Sequence, residues 1–270
     1  MKLCRAVGLT RQSHYKHLRR VTRELLHEEI VTEFAIIRRL LHQGLGCKKI
    51  YYEATRELDM KGIGRDKFFR IMDKAGLVLR RRYKKAKTTN SNHAFRKYDN
   101  ILDDDAKRKR NGAVVSDITY LRAGDSFQYL SLVTEVSSRK IVGWDLSSSL
   151  GIEGSIRAVK MALHEIGEAT GMVHHSDRGI QYCSREYIRL LEERGMRISM
   201  AEKGNPYQNA IAERVNGILK GEYKLNHHFG KKEDAGKAVR EAIRLYNDDR
   251  PHWSLGLRTP SEVYASGAKN

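Results

Sequence analysis

At 270 residues with 40% hydrophobic and 31% charged side chains, the chain carries enough apolar material for one or two packed domains, and no apolar run nears the eighteen or so residues that span a bilayer. Three widely spaced cysteines, Cys4, Cys47 and Cys183, form no C-x-x-C pair and support neither a disulfide framework nor a cysteine zinc site. The formal charge of +18 is uneven: residues 1–110 hold 29 basic and 13 acidic residues and residues 111–270 hold 22 and 20, so a cationic module precedes a nearly neutral one, and a phosphate backbone is its expected partner because neutralising it releases counterions.

Residues 3–18 predict a short helix, a turn at Gly8 and a second helix capped by Thr10, which is helix-turn-helix spacing. Over residues 21–42 the period predicts an amphipathic helix whose packed stripe is Leu25, Leu26, Ile30, Phe34, Ile37, Leu40 and Leu41. A further helix pair spans 47–76, jointed through residues 60–64 and ended by Gly76 as a C-cap. Residues 1–78 are therefore expected to form a basic, all-helical, DNA-binding region of helix-turn-helix type. Residues 79–110 lack an apolar period and crowd Arg80, Arg81, Arg82, Lys84 and Lys85 into one stretch, as expected of a basic linker that orders on DNA. At least two of Tyr83, His93, Phe95 and Tyr98 are expected to anchor it to the next domain.

From Ala113 the period changes to strands. Residues 113–121, 127–134 and 139–148 predict a three-stranded meander. A helix at 152–168, a strand at 172–175, a helix at 184–194, a strand at 197–200 and a helix from Pro206 to about Leu225 follow. The class is α/β, and this order over residues 111–270 is that of a ribonuclease-H-like catalytic domain.

Asp117 interrupts the apolar first strand, where a carboxylate needs a partner or a task. Asp177 follows the strand at 172–175, at a strand's carboxyl end. On the last helix Asn209, Glu213, Asn216 and Lys220 recur at steps of 4, 3 and 4, a polar stripe opposite Ile211, Val215, Ile218 and Leu219. Three carboxylates converging on a sheet edge would bind hard divalent cations through oxygen, and a pair of such ions serves phosphoryl transfer. On spacing alone, solvated or salt-bridged acids fit the same pattern. His174 and His175 are neighbours in a strand, point to opposite faces and cannot easily share a metal. No H-E-x-x-H, P-loop or G-x-S-x-G occurs, so zinc hydrolysis, nucleotide hydrolysis and serine esterase chemistry lose their usual signatures.

Five stretches carry a resemblance: SDITYL around Asp117, SSRKIVGW at 137–144, HHSDRGIQYCS at 174–184, SMAEKGNPYQNAIAERVNGILKGE at 199–222 and YNDDRPHWSLGLRTPSEVY at 246–264. Together they resemble the catalytic proteins of bacterial insertion sequences of the IS-three group, transposases with a retroviral-integrase-type core. Thirty-five residues separate Asp177 from Glu213, and Lys220 follows Glu213 by seven, the spacing of that family. The resemblance implies that Asp117, Asp177 and Glu213 are the metal-binding catalytic triad of a DNA strand-transfer enzyme. It implies two magnesium ions, with manganese as a substitute, and Lys220 as a DNA contact. Double-stranded DNA, both element ends and target, is the implied substrate, handled by a homo-oligomer because two ends need two sites. A bacterial cytoplasmic protein on the nucleoid is expected, with no membrane partner, and the product of an upstream helix-turn-helix reading frame is a further implied partner. Asn209 and Asn216, from their place on the stripe, are expected to contact DNA or support the triad. Gly217 and Gly221 interrupt that helix at about 1 kcal/mol each relative to alanine, which close approach to DNA or plain helix packing would explain.

The chain departs from the family pattern in lacking a tryptophan shortly before Asp117, in Glu135 where Asp is common, and in Gln208, which puts an accessory acid at that position in doubt. Trp253 is expected to pack. Two other readings compete: a DNA-binding or regulatory protein with an idle triad, and a ribonuclease-H-like nuclease that cuts without joining.

Overall fold

The structure, a computed structural model, describes residues 10–79, 95–102, 112–202 and 206–267, and the chain divides into two compact units, Met1–Tyr83 and Lys84–Asn270. Among the described residues no helix is long and apolar enough to cross a membrane.

The first unit holds α1 (Arg11–Leu41), α2 (Cys47–Glu57) and α3 (Arg65–Lys74). Thr10 caps α1 as expected, its Oγ1 accepting from the Ser13 amide at 3.1 Å. The helix it opens then runs unbroken to Leu41, because no glycine or proline stands between Arg11 and Leu41 to stop it. The helices expected at 10–18 and 21–42 are thus one; residues 3–9, with the turn at Gly8, lie outside the described residues. Val31, Phe34 and Ala35 of α1 pack with Ile50 and Ala54 of α2 and Phe68, Ile71 and Met72 of α3. This corrects the expected stripe. Phe34 is buried and Ile30 half-buried, but Leu25, Leu26, Ile37, Leu40 and Leu41 are exposed. Apolar residues stand on two faces of α1, and the face with His27, Val31 and Ala35 is the one that meets α2 and α3; Arg38 at its end pairs with the buried Glu53 at 2.5 Å. Gly76 ends α3 at positive φ, with the Leu77 amide donating to the Met72 carbonyl at 2.8 Å.

The second unit is built on a sheet of order β3-β2-β1-β4-β5, with β6 also pairing β1. β1 (Ala113–Ala123), β2 (Ser126–Glu135) and β3 (Ile141–Ser147) form the antiparallel meander expected. β4 (Val173–Ser176) lies parallel to β1, β5 (Arg197–Met200) parallel to β4, and β6 (His228–Phe229) parallel to the end of β1. One face of the sheet is covered by α4 (Ile152–Ile166) and α5 (Arg185–Glu192), whose Ile156, Val159, Leu163 and Leu191 pack on Val114, Val133 and Val142. The other is covered by α6 (Ala210–Glu222) and α7 (Lys232–Asp248), whose Val215, Leu219, Val239 and Ile243 pack on Leu121, Leu130 and Leu132. Two cores on opposite faces of one sheet make a three-layer domain. The helix expected from Pro206 starts with a 3₁₀ turn, Pro206–Asn209, before α6 begins at Ala210.

Polar clasps close the second face. Asn247 of α7 donates to and accepts from the backbone of Ile141, both at 2.9 Å, as a strand residue would. Arg250, fully buried, forks onto Glu222 at 2.7 and 2.8 Å and so ties the end of α7 to the end of α6. A last helix, α8 (Pro260–Gly267), follows. Before β1, the Ile101 amide donates to Ser199 Oγ at 3.0 Å, and Tyr98 packs against the α4 and α5 core. Phe95 is exposed, and Tyr83 and His93 lie outside the described residues. Trp253, expected to pack, is 58% exposed on a 3₁₀ turn.

Candidate active site

Parallel pairing of Ala113–Ser116 with Val173–Ser176 means that Asp117 and Asp177 leave adjacent strands side by side, their backbones about 4.8 Å apart. β4 ends there because the next residues turn: Asp177 Oδ1 accepts from the Gly179 amide at 2.9 Å, closing an Asx turn. A Cβ on residue 179 would stand 2.9 Å from that same oxygen, so glycine leaves the carboxylate open. Asp117 accepts from its neighbour, the Ile118 amide, at 2.9 Å, and from Asn216 Nδ2 of α6 at 2.7 Å.

Burial, and then the charge of Asp177, lift the Asp117 pKa from 3.8 to about 7; the bonds from Asn216 and Ile118 oppose the rise, and Glu213 adds a smaller push upward. α6 faces these acids because Ala212, Val215, Ile218 and Leu219 bury its apolar side, leaving Glu213, Asn216 and Lys220 on the other. Burial lowers the Lys220 pKa while the charge of Asp117 pulls it back up, which puts this ammonium in the field of the same carboxylate. The structure therefore brings Asp117, Asp177, Glu213, Asn216 and Lys220 together. Asn209 stands at the N-cap of α6, one turn before Glu213. Arg80, Arg81, Arg82, Lys84 and Lys85 lie outside the described residues. Asn216 holds Asp117, which favours the supporting role over direct DNA contact.

A layer beneath the aspartates escaped sequence reasoning. His174 Nε2 lies 2.8 Å from Ser116 Oγ and 2.9 Å from the Tyr187 hydroxyl, and burial holds its pKa down at about 3, so the ring is neutral. His175 instead meets Ser199 Oγ at 2.8 Å, so the two histidines do serve opposite faces. Ser116 and His174 precede the two aspartates in their own strands, so this buried network fixes the strand ends that present them. The adjacent histidines were the signal; their partners, far away in sequence, were not visible. Glu135 accepts from the Ser137 and Ser138 amides at 2.8 and 2.6 Å and so holds a local turn, and Gln208 accepts from the Glu202 amide at 2.6 Å.

Which cation fits follows from the donors. Crowded carboxylates with no thiol or imidazole among them suit a hard divalent ion. Among the described residues no three His, Cys, Asp or Glu side chains already form a closed ligand set. The fit is of a preformed pair, Asp117 and Asp177, with Glu213 as a third carboxylate on a longer arm. Asn209 Oδ1, Asn216 Oδ1 and the Tyr182 hydroxyl are buried without a hydrogen-bond partner among the described residues, and unspent acceptors beside Glu213 suit a hydrated cation.

Two family profiles, both described as integrase core domain, match residues 107–206 and 194–260. The insertion element IS600 uncharacterized 31 kDa protein of Shigella sonnei is 30% identical over 265 residues, 96% of each chain. The transposase for insertion sequence element IS629 of Shigella sonnei is 31% identical over 224 residues, 82% of this chain and 74% of that protein. Among solved structures, the HTLV-2 integrase catalytic core domain in complex with magnesium aligns at a TM-score of 0.45 and 16% identity over 57% of this chain and 95% of that one, a likeness too slight to carry weight. With integrase-core profiles over the sheet and its helices, and an insertion-sequence relative matched nearly end to end, the chain belongs to the insertion-sequence transposases of the IS-three group, DNA-transposing enzymes with a ribonuclease-H-like integrase core.

Proposed function

We propose that Asp117, Asp177 and Glu213 are the metal-binding catalytic triad with which this transposase cuts and joins DNA at element ends. The observation that carries this reading is the pair of aspartates on adjacent parallel strands, close enough that the charge of Asp177 adds to burial in raising the Asp117 pKa to about 7. Like charges held this close cost stability unless a cation or proton lies between them. Two magnesium ions, or manganese in their place, would supply the Lewis acidity that activates a water or 3′-hydroxyl and stabilises the departing oxygen. Asn216 keeps Asp117 turned toward its partner through the 2.7 Å bond. Lys220 sets a cation beside the carboxylates, where it meets a DNA phosphate, and Asn209 offers its amide at the start of the same helix. The basic run Arg80, Arg81, Arg82, Lys84 and Lys85 tracks the DNA backbone, so affinity falls steeply with salt. Two element ends call for two copies of the chain.

The test is a strand-transfer assay on labelled element-end duplex with Mg²⁺, with Asp177→Asn run in parallel. Joined products are expected from the native chain and none from the variant, while both bind DNA alike. Equal joining by the variant would overturn the triad, and cleavage without joining would favour the nuclease reading. Asn216→Ala is expected to lower the rate about 10–100-fold, the usual cost of losing a group that orients a metal ligand. Part of that loss should return at higher pH or higher Mg²⁺, since removing the donor lets the Asp117 pKa climb further; a pH–rate profile at two Mg²⁺ concentrations checks it.

A further inference from the structure

Among the described residues, β1 has an open stretch on one edge: β4 pairs with it only as far as Ser116 and β6 only from Arg122, so residues 117–121 meet no strand there. The gap is about 17 Å long, with Asp117 at one end and Arg122 at the other. Beside it the sheet carries aromatic rings. Tyr120 stands opposite Tyr129, and Arg122 opposite Phe127, in the register of β1 with β2. The Tyr120 ring lies edge-on to Tyr129 at 5.3 Å and to Phe127 at 6.3 Å, and the Arg122 guanidinium sits 5.7 Å from the centre of the Phe127 ring. On this face α4 begins over Ser131, whose Oγ is 3.4 Å from that of Ser155, so the rings lie past the start of the helix. Phe127 is 46% exposed, Arg122 is exposed and both tyrosines are half-buried. Cross-strand aromatic pairs hold a hairpin together, but that role does not call for rings left open to water beside a cation.

We propose that this open edge is a stacking platform for an unpaired nucleobase of the DNA strand being cut, with Tyr120 as the ring that takes the base and Arg122 as the cation that takes a neighbouring phosphate. Tyr120 is three residues from Asp117, about 10 Å along the strand. Burial, then the neighbouring Tyr129 and the charges of Asp177 and Asp117, raise its pKa, so its hydroxyl lies in the field of both carboxylates. Charge at the far end suits a phosphate. Arg122 and its register partner His228 are both exposed there, the His228 ring meeting the Gly124 carbonyl at 2.8 Å, with Asp125 in the hairpin turn as the opposing acid. A base inside a duplex has both faces stacked already, so only a frayed or extruded one can lie on a ring, and any base serves because each has a π face. The inference deepens the triad reading above and rests on it for which strand lies here.

The test measures binding of the full chain, in EDTA, to an element-end duplex whose last three pairs are mismatched, and to the same duplex with the unpaired bases removed one at a time. On the native chain, removal of one of these bases is expected to weaken binding about tenfold. Tyr120→Val, which keeps a strand-forming residue, should lose the same factor on the intact DNA and nothing further once that base is gone. Tyr120→Phe keeps the ring and should match the native chain. If circular dichroism shows that Tyr120→Val does not fold, Tyr129→Val, which removes the supporting ring, carries the same expectation. Arg122→Ala should weaken binding to every DNA alike and lower the slope of log affinity against log salt by about 1. Binding indifferent to the removal of every unpaired base overturns the proposal. So do losses from the valine variant and from base removal that multiply instead of coinciding, or a salt slope unchanged in Arg122→Ala. The triad is judged separately: full joining by Asp177→Asn with the base dependence retained would sink the triad and leave the platform, and joining abolished in Asp177→Asn with no base dependence in the native chain would do the reverse.

Discussion

Asp117→Asn is expected to abolish strand transfer, by on the order of a thousandfold or more, and at the same time to stabilise the metal-free protein at pH 8. The first effect follows from removing a charged ligand from the preformed pair. The second follows from the raised pKa. Because the folded value, about 7, lies above the ordinary 3.8, the folded state holds a proton more tightly than the unfolded chain. Stability is therefore greatest below the unfolded value, falls as pH climbs from about 4 to about 7, and is level above that. The full rise corresponds to at most about 4 kcal/mol, and water at this half-buried site reduces it to about 2. The asparagine keeps the Ile118 bond, and a flip of the Asn216 amide turns its unpartnered Oδ1 toward the new NH₂ group. Melting curves at pH 5 and pH 8 check it: the variant's advantage should be small at the lower pH, where about a third of the fall has occurred, and reach several degrees at the upper one. Added Mg²⁺ should raise the native curve and leave the variant's unchanged. Equal melting at both pH values would show that the Asp117 pKa is not raised in the folded chain.

Gly143→Ala is expected to cost more than about 3 kcal/mol, enough to leave much of the chain unfolded at physiological temperature. Gly143 lies in β3 where α4 crosses it, and a Cβ there would stand 2.1 Å from the Ala158 carbonyl oxygen and 2.7 Å from the Ala162 amide nitrogen. Both are backbone atoms of a helix held by Ile156, Val159 and Leu163, so neither can turn aside as a flexible side chain would. Gly217→Ala makes the contrast: nothing lies within 4 Å of its Cβ position, and alanine in that exposed helical site should gain about 1 kcal/mol. Of the explanations for Gly217, packing against a neighbour is thus excluded within the described residues. Urea unfolding of the two variants, side by side, distinguishes a steric glycine from a permissive one.

The order of the catalytic unit was legible because its strands alternate and its turns carry their own chemistry. An acid between Val115 and Ile118 could be singled out for the same reason: burial makes it conspicuous. Nothing local said that Ser116 would share a histidine with Tyr187, since that depends on β1 and β4 pairing across sixty residues. The packed side of α1 was illegible for a different reason. Apolar residues occupy two of its faces, and only the shape of α2 and α3 decides which one is buried. Asn247 and Arg250 sat in a recognisable stretch with no assignable role; their work as clasps on Ile141 and Glu222 appears only once α7 lies against the sheet.

The clasps have a consequence for the newly made chain. β1 leaves the ribosome with Asp117 long before Asp177 and Glu213 exist, and the helix bearing Glu213 is not tied at its end until Arg250 arrives. A polypeptide released early, anywhere before residue 250, has either an incomplete set of acids or a loose third one. On the proposed triad, cutting thus waits until the chain has been made as far as Arg250, and products truncated before it are expected to give no strand transfer in the element-end assay.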